Sequence, residues 1–162
     1  MQISPIPNNE KERLEATRKM GILDTVAEER YDKLTAEAAK KLCVPMSAIS
    51  IIDENREWYK SCYGMDSKEG ARDISFCGHT IVGGEDILVV EDTLKDERFS
   101  DNPYVQNDPF IRFYAGVKIF DHKTRMPIGV FCIKDKQPRK LSVDELATVL
   151  DYAGKVEEEI NK

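Results

Sequence analysis

The sequence predicts an α+β domain in which helices cover one face of an antiparallel sheet. Two pairs of short segments, 46–53 with 57–63 and 111–120 with 128–134, are each joined by a polar turn and are typical of hairpins. Strands joined by such tight turns pair antiparallel. Apolar residues at helical spacing before the first hairpin and after the second predict amphipathic helices. Such helices must bury their apolar stripe against a sheet face, which favours the α+β arrangement.

Length and composition indicate a single folded domain. A chain of 162 residues is long enough for one core and too short for two ordinary domains. A content of 41% hydrophobic and 33% charged residues is typical of globular proteins. The formal net charge of −6 argues against general binding to nucleic acid or to an anionic membrane, because both require a basic surface. Residues 1–10 lack the features of a signal peptide, so we expect a cytoplasmic protein.

The first 45 residues are predicted to form an extended arm and two helices. Residues 1–9 contain two prolines and two asparagines, whereas 10–19 consists largely of charged residues and good helix formers. Thr25 followed by Glu28 has the spacing of a capping box, which predicts that the second helix begins there. Pro45 is expected to end that helix, because proline cannot continue it.

The middle of the chain is predicted to consist mainly of connections around short elements. Residues 65–74 are polar, and Ser75 can cap a short helix that the following glycine pair ends. Residues 87–90 are predicted to form a short strand. Residues 93–110 form a long connection with at most a short helix near Tyr104. A connection of this length inside a compact domain is more often functional than idle.

Five short motifs stand out along the chain: GILDT (21–25), SFCGHTI (75–81), RFSDNP (98–103), IRFYAG (111–116) and IGVFCIKD (128–135). Together they resemble the motifs of GAF domains, the ligand-sensing modules found ahead of diguanylate cyclase or histidine kinase output domains. The resemblance begins at Ala16 and continues to the C-terminus. It implies a six-stranded antiparallel sheet, with the terminal helices packed on one face and a ligand pocket on the other.

This resemblance sets the expected domain boundaries. We expect an N-terminal arm and helix start over 1–15, and a single sensor domain over 16–162. The pocket is expected beneath the short helices and the long connection. A PAS domain is the alternative fold, and the long helix before the first hairpin favours the GAF arrangement.

The resemblance also implies a cyclic nucleotide as ligand, with cyclic AMP favoured. The free N–H groups of the helix that starts at Ser75 suit a phosphate. Arg72, Arg98 and Arg112 either add positive charge there or pair with acids, as surface arginines usually do. Aromatic rings beneath the connection suit a flat base. The predicted ligand-binding residues are Ser50, Ser75, Phe76, Cys77, His79, Asp92, Thr93, Arg98, Phe99, Asn102, Arg112, Phe113 and Tyr114.

The cysteines and histidines do not have the spacing of a catalytic or metal site. Cys77 and His79 are two residues apart on a predicted helix and point about 200° from each other, so they cannot converge on one atom. Cys43, Cys62 and Cys132 are scattered and form no CxxC pair, which favours buried thiols over a disulfide framework. We therefore expect no catalytic residue, metal or cofactor. The alternative is a redox enzyme that resembles the free methionine sulfoxide reductases and uses Cys62 and Cys77.

The C-terminal helix carries a second signal. Ser142 and Glu145 form a capping box at its start. A 3-4-3-4 apolar spacing then predicts a coiled-coil seam and a homodimer through the terminal helices, unless this stripe packs against the domain's own helix at 27–43. The seam residues are Leu146, Val149, Ala153, Val156 and Ile160.

The predicted function follows from the resemblance and the C-terminal helix together. In the GAF proteins that the chain resembles, such a helix continues into an output domain such as a diguanylate cyclase. We therefore expect a regulatory domain that senses a small molecule and controls that output. A ligand-free dimerisation module is the alternative.

Overall fold

A six-stranded sheet forms the centre of the structure, a computed structural model that describes all residues from Met1 to Lys162. The strands are β1 (Met46–Ile52), β2 (Arg56–Tyr63), β3 (Glu69–Ala71), β4 (Ile87–Val90), β5 (Phe113–Phe120) and β6 (Pro127–Asp135). They lie in the order β3-β2-β1-β6-β5-β4, and every neighbouring pair is antiparallel. The fold class predicted from the two hairpins is therefore confirmed.

Helices cover both faces of this sheet, but the long ones lie on one face only. The helices are α1 (Glu10–Lys19), α2 (Glu29–Leu42), α3 (Phe76–Thr80), α4 (Pro103–Gln106) and α5 (Val143–Ile160). The long helices α2 and α5 pack side by side against one face, as predicted. Short helix α3 lies on the other face, together with the connection that contains α4. No helix combines the length and the hydropathy that crossing a bilayer requires.

The sheet separates two buried apolar layers. The layer beneath α2 and α5, here called the helix-side core, includes Leu34, Ala38, Phe131, Val149 and Val156. The layer on the opposite face, here called the loop-side core, includes Met46, Phe76, Phe99, Tyr114 and Cys132. Each buried apolar side chain stabilises the fold at about 25 cal/mol per Å² of surface removed from water, so both faces contribute.

The start of α2 differs from the prediction. The helix begins at Glu29, with Glu28 as the residue before its first turn, and no side chain caps it. Thr25 is instead held by Lys60, whose ammonium donates to the Thr25 hydroxyl at 2.8 Å and to the Val26 carbonyl at 2.6 Å. The capping box at Thr25 and Glu28 is therefore wrong, because a buried lysine keeps this segment out of the helix.

The region 65–74, predicted to be a polar connection, contains two elements that the sequence did not reveal. Strand β3 pairs with the start of β2 through Glu69 and Ala71, and a 3₁₀ turn over Arg72–Ile74 follows it. Three residues without an apolar pattern are too few to show periodicity, which explains the omission.

The C-terminal helix begins as predicted and packs differently from the predicted seam. The Ser142 hydroxyl accepts from the Glu145 N–H at 3.1 Å, and the Glu145 carboxylate accepts from the Ser142 N–H at 3.0 Å. Four of the five seam residues are buried inside this chain, against α2 and the sheet: Val149, Ala153, Val156 and Ile160. They are not free for a second helix. The assignment of the dimer seam to this stripe is therefore wrong, and packing within the domain is confirmed.

Replacing Val156 by lysine is expected to unfold the domain rather than to separate a dimer. Val156 has no exposed surface, and a lysine there would place an unpaired charge in the helix-side core. We expect a loss of about 3 kcal/mol or more in the free energy of unfolding, measured by urea denaturation. Val26→Lys is the matched control, because it makes the same substitution at a residue that is 80% exposed, and it should change stability by less than about 1 kcal/mol. A Val156→Lys protein with unchanged stability and a smaller sedimentation coefficient would contradict this packing.

Candidate functional site

The centre of the predicted site is filled by packed aromatic side chains. The ring of Phe76 stacks on Phe99 with centroids 4.6 Å apart and on Tyr114 with centroids 5.2 Å apart. None of the three rings has more than 1% of its surface exposed. A flat ligand would have to displace these rings, since protein interiors are close-packed. They therefore form the loop-side core instead of lining an open pocket.

The start of α3 is also covered. The Ser75 hydroxyl accepts from the Gly78 N–H at 3.0 Å, as a helix cap should, so the predicted cap is confirmed. The N-terminal arm then lies over this turn: the Ser4 N–H donates to the Asp73 carbonyl at 2.9 Å, and the Ser4 side chain packs where a side chain on Gly78 would be. Ser75 and Ser4 are both buried. A phosphate cannot reach these N–H groups unless the arm moves.

The three arginines considered for the site are all paired with acids. Arg98 donates to Asp96 at 2.6 Å, and Arg112 donates to Asp92 at 3.0 Å. Neither guanidinium points at a shared anion site. Arg98 and Arg112 therefore form ordinary ion pairs, which was the alternative prediction for these arginines.

Arg72 takes part in a larger buried network. It donates to the carboxylate of Glu10 and to the carbonyl of Asp53, the latter at 3.0 Å. Arg13, which is fully buried, donates to the same carboxylate at 2.9 Å through two nitrogens. Burial alone would raise the pKa of Glu10, but the hydrogen bonds from Arg13 and Arg72 outweigh it and lower the pKa to about 2. This network fixes α1 to the sheet edge.

Two polar residues of the predicted site stabilise the long connection. The Asn102 side chain accepts from the Tyr104 N–H at 2.9 Å and donates to the Ile74 carbonyl at 3.0 Å. The Thr93 hydroxyl donates to the Ile111 carbonyl at 2.8 Å. Both side chains are buried. They join the connection to the sheet and to the turn before α3, which is a structural role.

The remaining predicted residues lie apart from one another. The Ser50 hydroxyl donates to Glu57 at 2.8 Å within the sheet. The His79 imidazole lies 3.3 Å from the carbonyl of Gln2. Burial lowers the pKa of His79. Phe113 belongs to the helix-side core, on the opposite face from its neighbour in the chain, so it cannot share a site with the others.

The cysteines form no disulfide, and two of the four are buried. Cys77 and Cys132 lie together in the loop-side core, and the Tyr114 hydroxyl donates to the Cys77 sulfur at 3.2 Å. Burial raises the pKa of Cys77, and it raises the pKa of Cys62 to about 11. Thiols with raised pKa values hold little thiolate at neutral pH and are weak nucleophiles.

A cavity of about 300 Å³ lies on the loop side of the sheet, next to the filled centre. Strands β1, β2 and β6 form one wall, and the turn after β2 and the connection around α4 form the other. The cavity, here called the Lys134 cavity, is lined by Met46, Tyr59, Gly64, Met65, Asp66, Ser67, Tyr104, Asp108, Pro109, Ile111, Lys134 and Lys136. It has the size of a small ligand site and combines apolar with a few charged side chains, as such sites do.

Lys134 is the unusual residue of this cavity. Its side chain is buried, with 4% of the residue's surface exposed, yet its ammonium makes no hydrogen bond and no ion pair. The ring of Tyr59 lies 5.9 Å from the Nζ atom. Burial opposes the positive charge, but Tyr59, Cys132 and Glu57 together raise the pKa of Lys134 above its ordinary value. The cavity therefore contains an ammonium that belongs to a mostly buried side chain, makes no hydrogen bond to the chain and is open to the cavity.

Strand register places Lys134 in the cavity. Lys134 pairs with Met46 on β1 and with Tyr114 on β5, so it shares the loop side with Val130 and Cys132. Lys134 is not among the site residues predicted from the sequence. The signal was a lysine inside the run IGVFCIKD of a buried central strand, because lysine is almost never fully buried without a partner.

A larger groove of about 730 Å³ lies between the end of α2 and the segment before α5. It is open and mostly polar. Arg139 lines this groove and is half-buried. Its guanidinium donates to the Asp135 carboxylate at 2.7 Å and to the carbonyls of Leu42 and Cys43. Because these bonds close the C-terminal end of α2, the groove has a structural explanation that the Lys134 cavity lacks.

Solved structures have the same architecture. The GAF domain of a phosphoenolpyruvate-protein phosphotransferase from Acinetobacter superposes with a TM-score of 0.64, at 19% identity, over 92% of each chain. The chain has the GAF fold. A type II free methionine-R-sulfoxide reductase from Thermoplasma acidophilum also superposes on this chain with a TM-score of 0.64, at 12% identity, over 91% of this chain and 94% of that one. At these identities the likeness concerns the fold alone.

One curated relative shares more of the sequence. A cyclic di-GMP phosphodiesterase of Pseudomonas aeruginosa is 33% identical to this chain over 152 residues, which are 94% of the length of this chain. The chain spans about a quarter of the length of that relative, 26%. No protein-family model matches the chain.

The Glu10 network makes stability depend on pH in a defined direction. Because the pKa of Glu10 is lowered from 4.5 to about 2 by folding, its contribution is fully present above pH 4.5 and is lost as the pH falls through 2. We expect Glu10→Gln to be less stable than the parent at pH 7 by urea denaturation. That difference should shrink as the pH falls from 4.5 towards 2.

Glu12→Gln is the control, because Glu12 lies exposed on the same helix. Its stability should follow the parent protein at every pH. A difference between Glu10→Gln and the parent that stays constant over this pH range would contradict the role of the network.

Proposed function

We propose that this GAF domain is a small-molecule sensor whose ligand occupies the Lys134 cavity. The observation that carries the proposal is the unpaired ammonium of Lys134 in a cavity of ligand size. The part of the loop side predicted from the motifs is filled by aromatic packing, so the ligand lies beside it, nearer the turn after β2. Tyr59 and Tyr104 offer flat surfaces there.

Within that proposal, the ligand is a cyclic nucleotide, with cyclic AMP as the first candidate. Its phosphate would lie near Lys134 and Lys136, and its base would lie against Tyr59 or Tyr104. This placement replaces the predicted phosphate position at Ser75, which the N-terminal arm covers. The cavity is at the lower end of the size range of ligand sites, so a mononucleotide fits this proposal better than a dinucleotide.

The ligand would act by ordering the connection that contains α4. Tyr104 lines the cavity, and the neighbouring Asn102 is bonded to the Ile74 carbonyl. That turn continues back to Arg72, which is bonded to Glu10 of α1. A ligand that favours one arrangement of the connection would thereby shift the population of states at the N-terminal helix.

A second route leads towards the C-terminal helix. Lys134 and Lys136 lie in and directly after β6, and the next residues reach α5 through Arg139, which is bonded to Asp135 at 2.7 Å. Ligand contacts at the end of β6 would thus act on the start of α5.

The output that we propose is an enzyme of cyclic di-GMP metabolism, a diguanylate cyclase or a phosphodiesterase, on a longer chain. The relative from Pseudomonas aeruginosa, a cyclic di-GMP phosphodiesterase, supports this because the present chain matches only a quarter of it. A homodimer would form through the outward face of α5, where Val143 and Leu150 are 85% and 46% exposed. The cytoplasm is the compartment that fits this role. Thiol catalysis is less favoured, since burial raises the pKa values of Cys62 and Cys77.

Thermal denaturation tests the ligand directly. Cyclic AMP at one hundred times its dissociation constant should stabilise the folded domain by about 2.7 kcal/mol, which raises the melting temperature by about 5–10 °C. Cyclic GMP and cyclic di-GMP are tested separately. Tyr104→Ala should reduce the shift, because it removes one wall of the cavity.

Phe110→Ala is the matched control, since Phe110 lies on the same connection with 52% of its surface exposed and does not line the cavity. It should leave the shift unchanged. The cyclic nucleotide proposal fails if none of the three compounds changes the melting temperature at millimolar concentration. Equal loss of the shift in Tyr104→Ala and Phe110→Ala would place the site elsewhere.

A further inference from the structure

We infer that the ligand of the Lys134 cavity is a small monoanion, whose carboxylate or phosphate group pairs with the Lys134 ammonium. The inference rests on the proposed function and adds the charge of the ligand and the residue that reads it. It depends on three observations. The Lys134 ammonium has no acidic partner, the nearby Glu57 carboxylate accepts a hydrogen bond from Ser50 instead, and the other charged residues of the cavity wall limit the charge of the ligand.

The ammonium of Lys134 lacks the partner that buried cations normally have. Most of the Lys134 side chain is removed from water, with 4% of the residue exposed, and no oxygen of the chain accepts a hydrogen bond from its ammonium. The one direction left open is the cavity, which Lys134 lines. An oxyanion placed there would form a charge-assisted hydrogen bond, which is roughly twice as strong as a neutral one.

The neighbouring acid does not satisfy this lysine. Glu57 is buried on the same side of the sheet, but one of its oxygens accepts from the Ser50 hydroxyl at 2.8 Å and it forms no ion pair. Tyr59 is closer to the cavity, and burial raises the pKa of its phenol, so it stays neutral. Glu57 offsets the positive charge of Lys134 without forming a hydrogen bond to it. The N–H groups of the Lys134 ammonium are therefore free to donate to a ligand.

The other residues that line the Lys134 cavity limit the number of negative charges on the ligand. Asp66 and Asp108 also line the cavity and offset the charges of Lys134 and Lys136, so the lining has no net positive charge to hold a second negative charge on the ligand. Met46, Met65 and Ile111 supply apolar surface for the body of the molecule. The combination selects a compound with one acidic group and a flat or apolar body of one or two rings.

Matched pairs of anionic and neutral probes test this inference. The pairs are benzoate with benzamide and cyclic AMP with adenosine, and binding to the intact chain is measured by saturation-transfer NMR. We expect the anion of at least one pair to bind on the order of tenfold more tightly than its neutral partner. Lys134→Met should remove that preference, and Lys134→Arg should keep part of it because the charge is retained.

Lys140→Met is the control, because Lys140 is an exposed lysine that follows the same strand and does not line the cavity. It should leave the preference for anions largely intact. Equal binding of anionic and neutral partners, or an unchanged preference in Lys134→Met, overturns the inference while the cavity remains a ligand site. Binding of benzoate without cyclic AMP supports the inference and removes the cyclic nucleotide. If neither pair binds, both proposals fall. If Lys134→Met does not fold, the wild-type comparison still decides the charge of the ligand, and Lys134→Gln, a neutral polar replacement that should also lose the preference, tests whether Lys134 reads it.

Discussion

The register between the two central strands is the constraint on which the rest of the structure depends. Strands β1 and β6 are buried on both faces, so each of their residues belongs to one core or the other. A shift of one residue would move Phe131 and Ile133 to the loop side and Lys134 into the helix-side core. Gly129 fixes this register, because a side chain there would meet the Ser50 carbonyl at 2.3 Å. The location of the cavity lysine is thus a consequence of sheet packing.

The loop side of the sheet is closed mainly by bonds within the chain. Aromatic stacking fills its centre, the N-terminal arm covers α3, and Asn102 and Thr93 tie down the long connection. Ion pairs engage the arginines around it. Lys134 differs because its ammonium makes no hydrogen bond or ion pair within the chain and has only the ring of Tyr59 beside it, 5.9 Å away. A mostly buried cation that lines a cavity without an acidic partner is better explained by a ligand than by stability, since taking a charge out of water is unfavourable unless the charge is paired.

The sequence predicted the sheet, its hairpins and the packing of the terminal helices, because these depend on local periodicity and turn chemistry. It predicted the start of α5 at Ser142 for the same reason. It misplaced the start of α2, since Lys60, a residue distant in sequence, binds the segment at Thr25. The candidate site was the least predictable part. Residue type suggested the aromatic and arginine positions, but whether such a side chain lines a cavity or fills a core depends on contacts between distant segments.

Methyl NMR of the five methionines tests most directly whether the Lys134 cavity binds the ligand. Met46 and Met65 line the cavity, whereas Met20 and Met126 pack against the helix-side core on the opposite face. Titration of ¹³C-methyl-methionine protein with cyclic AMP and with benzoate is predicted to move the signals of Met46 and Met65 and to leave those of Met20 and Met126 in place. Shifts confined to Met20 and Met126, or no shift at any methionine with either compound, would contradict a ligand site beside Lys134.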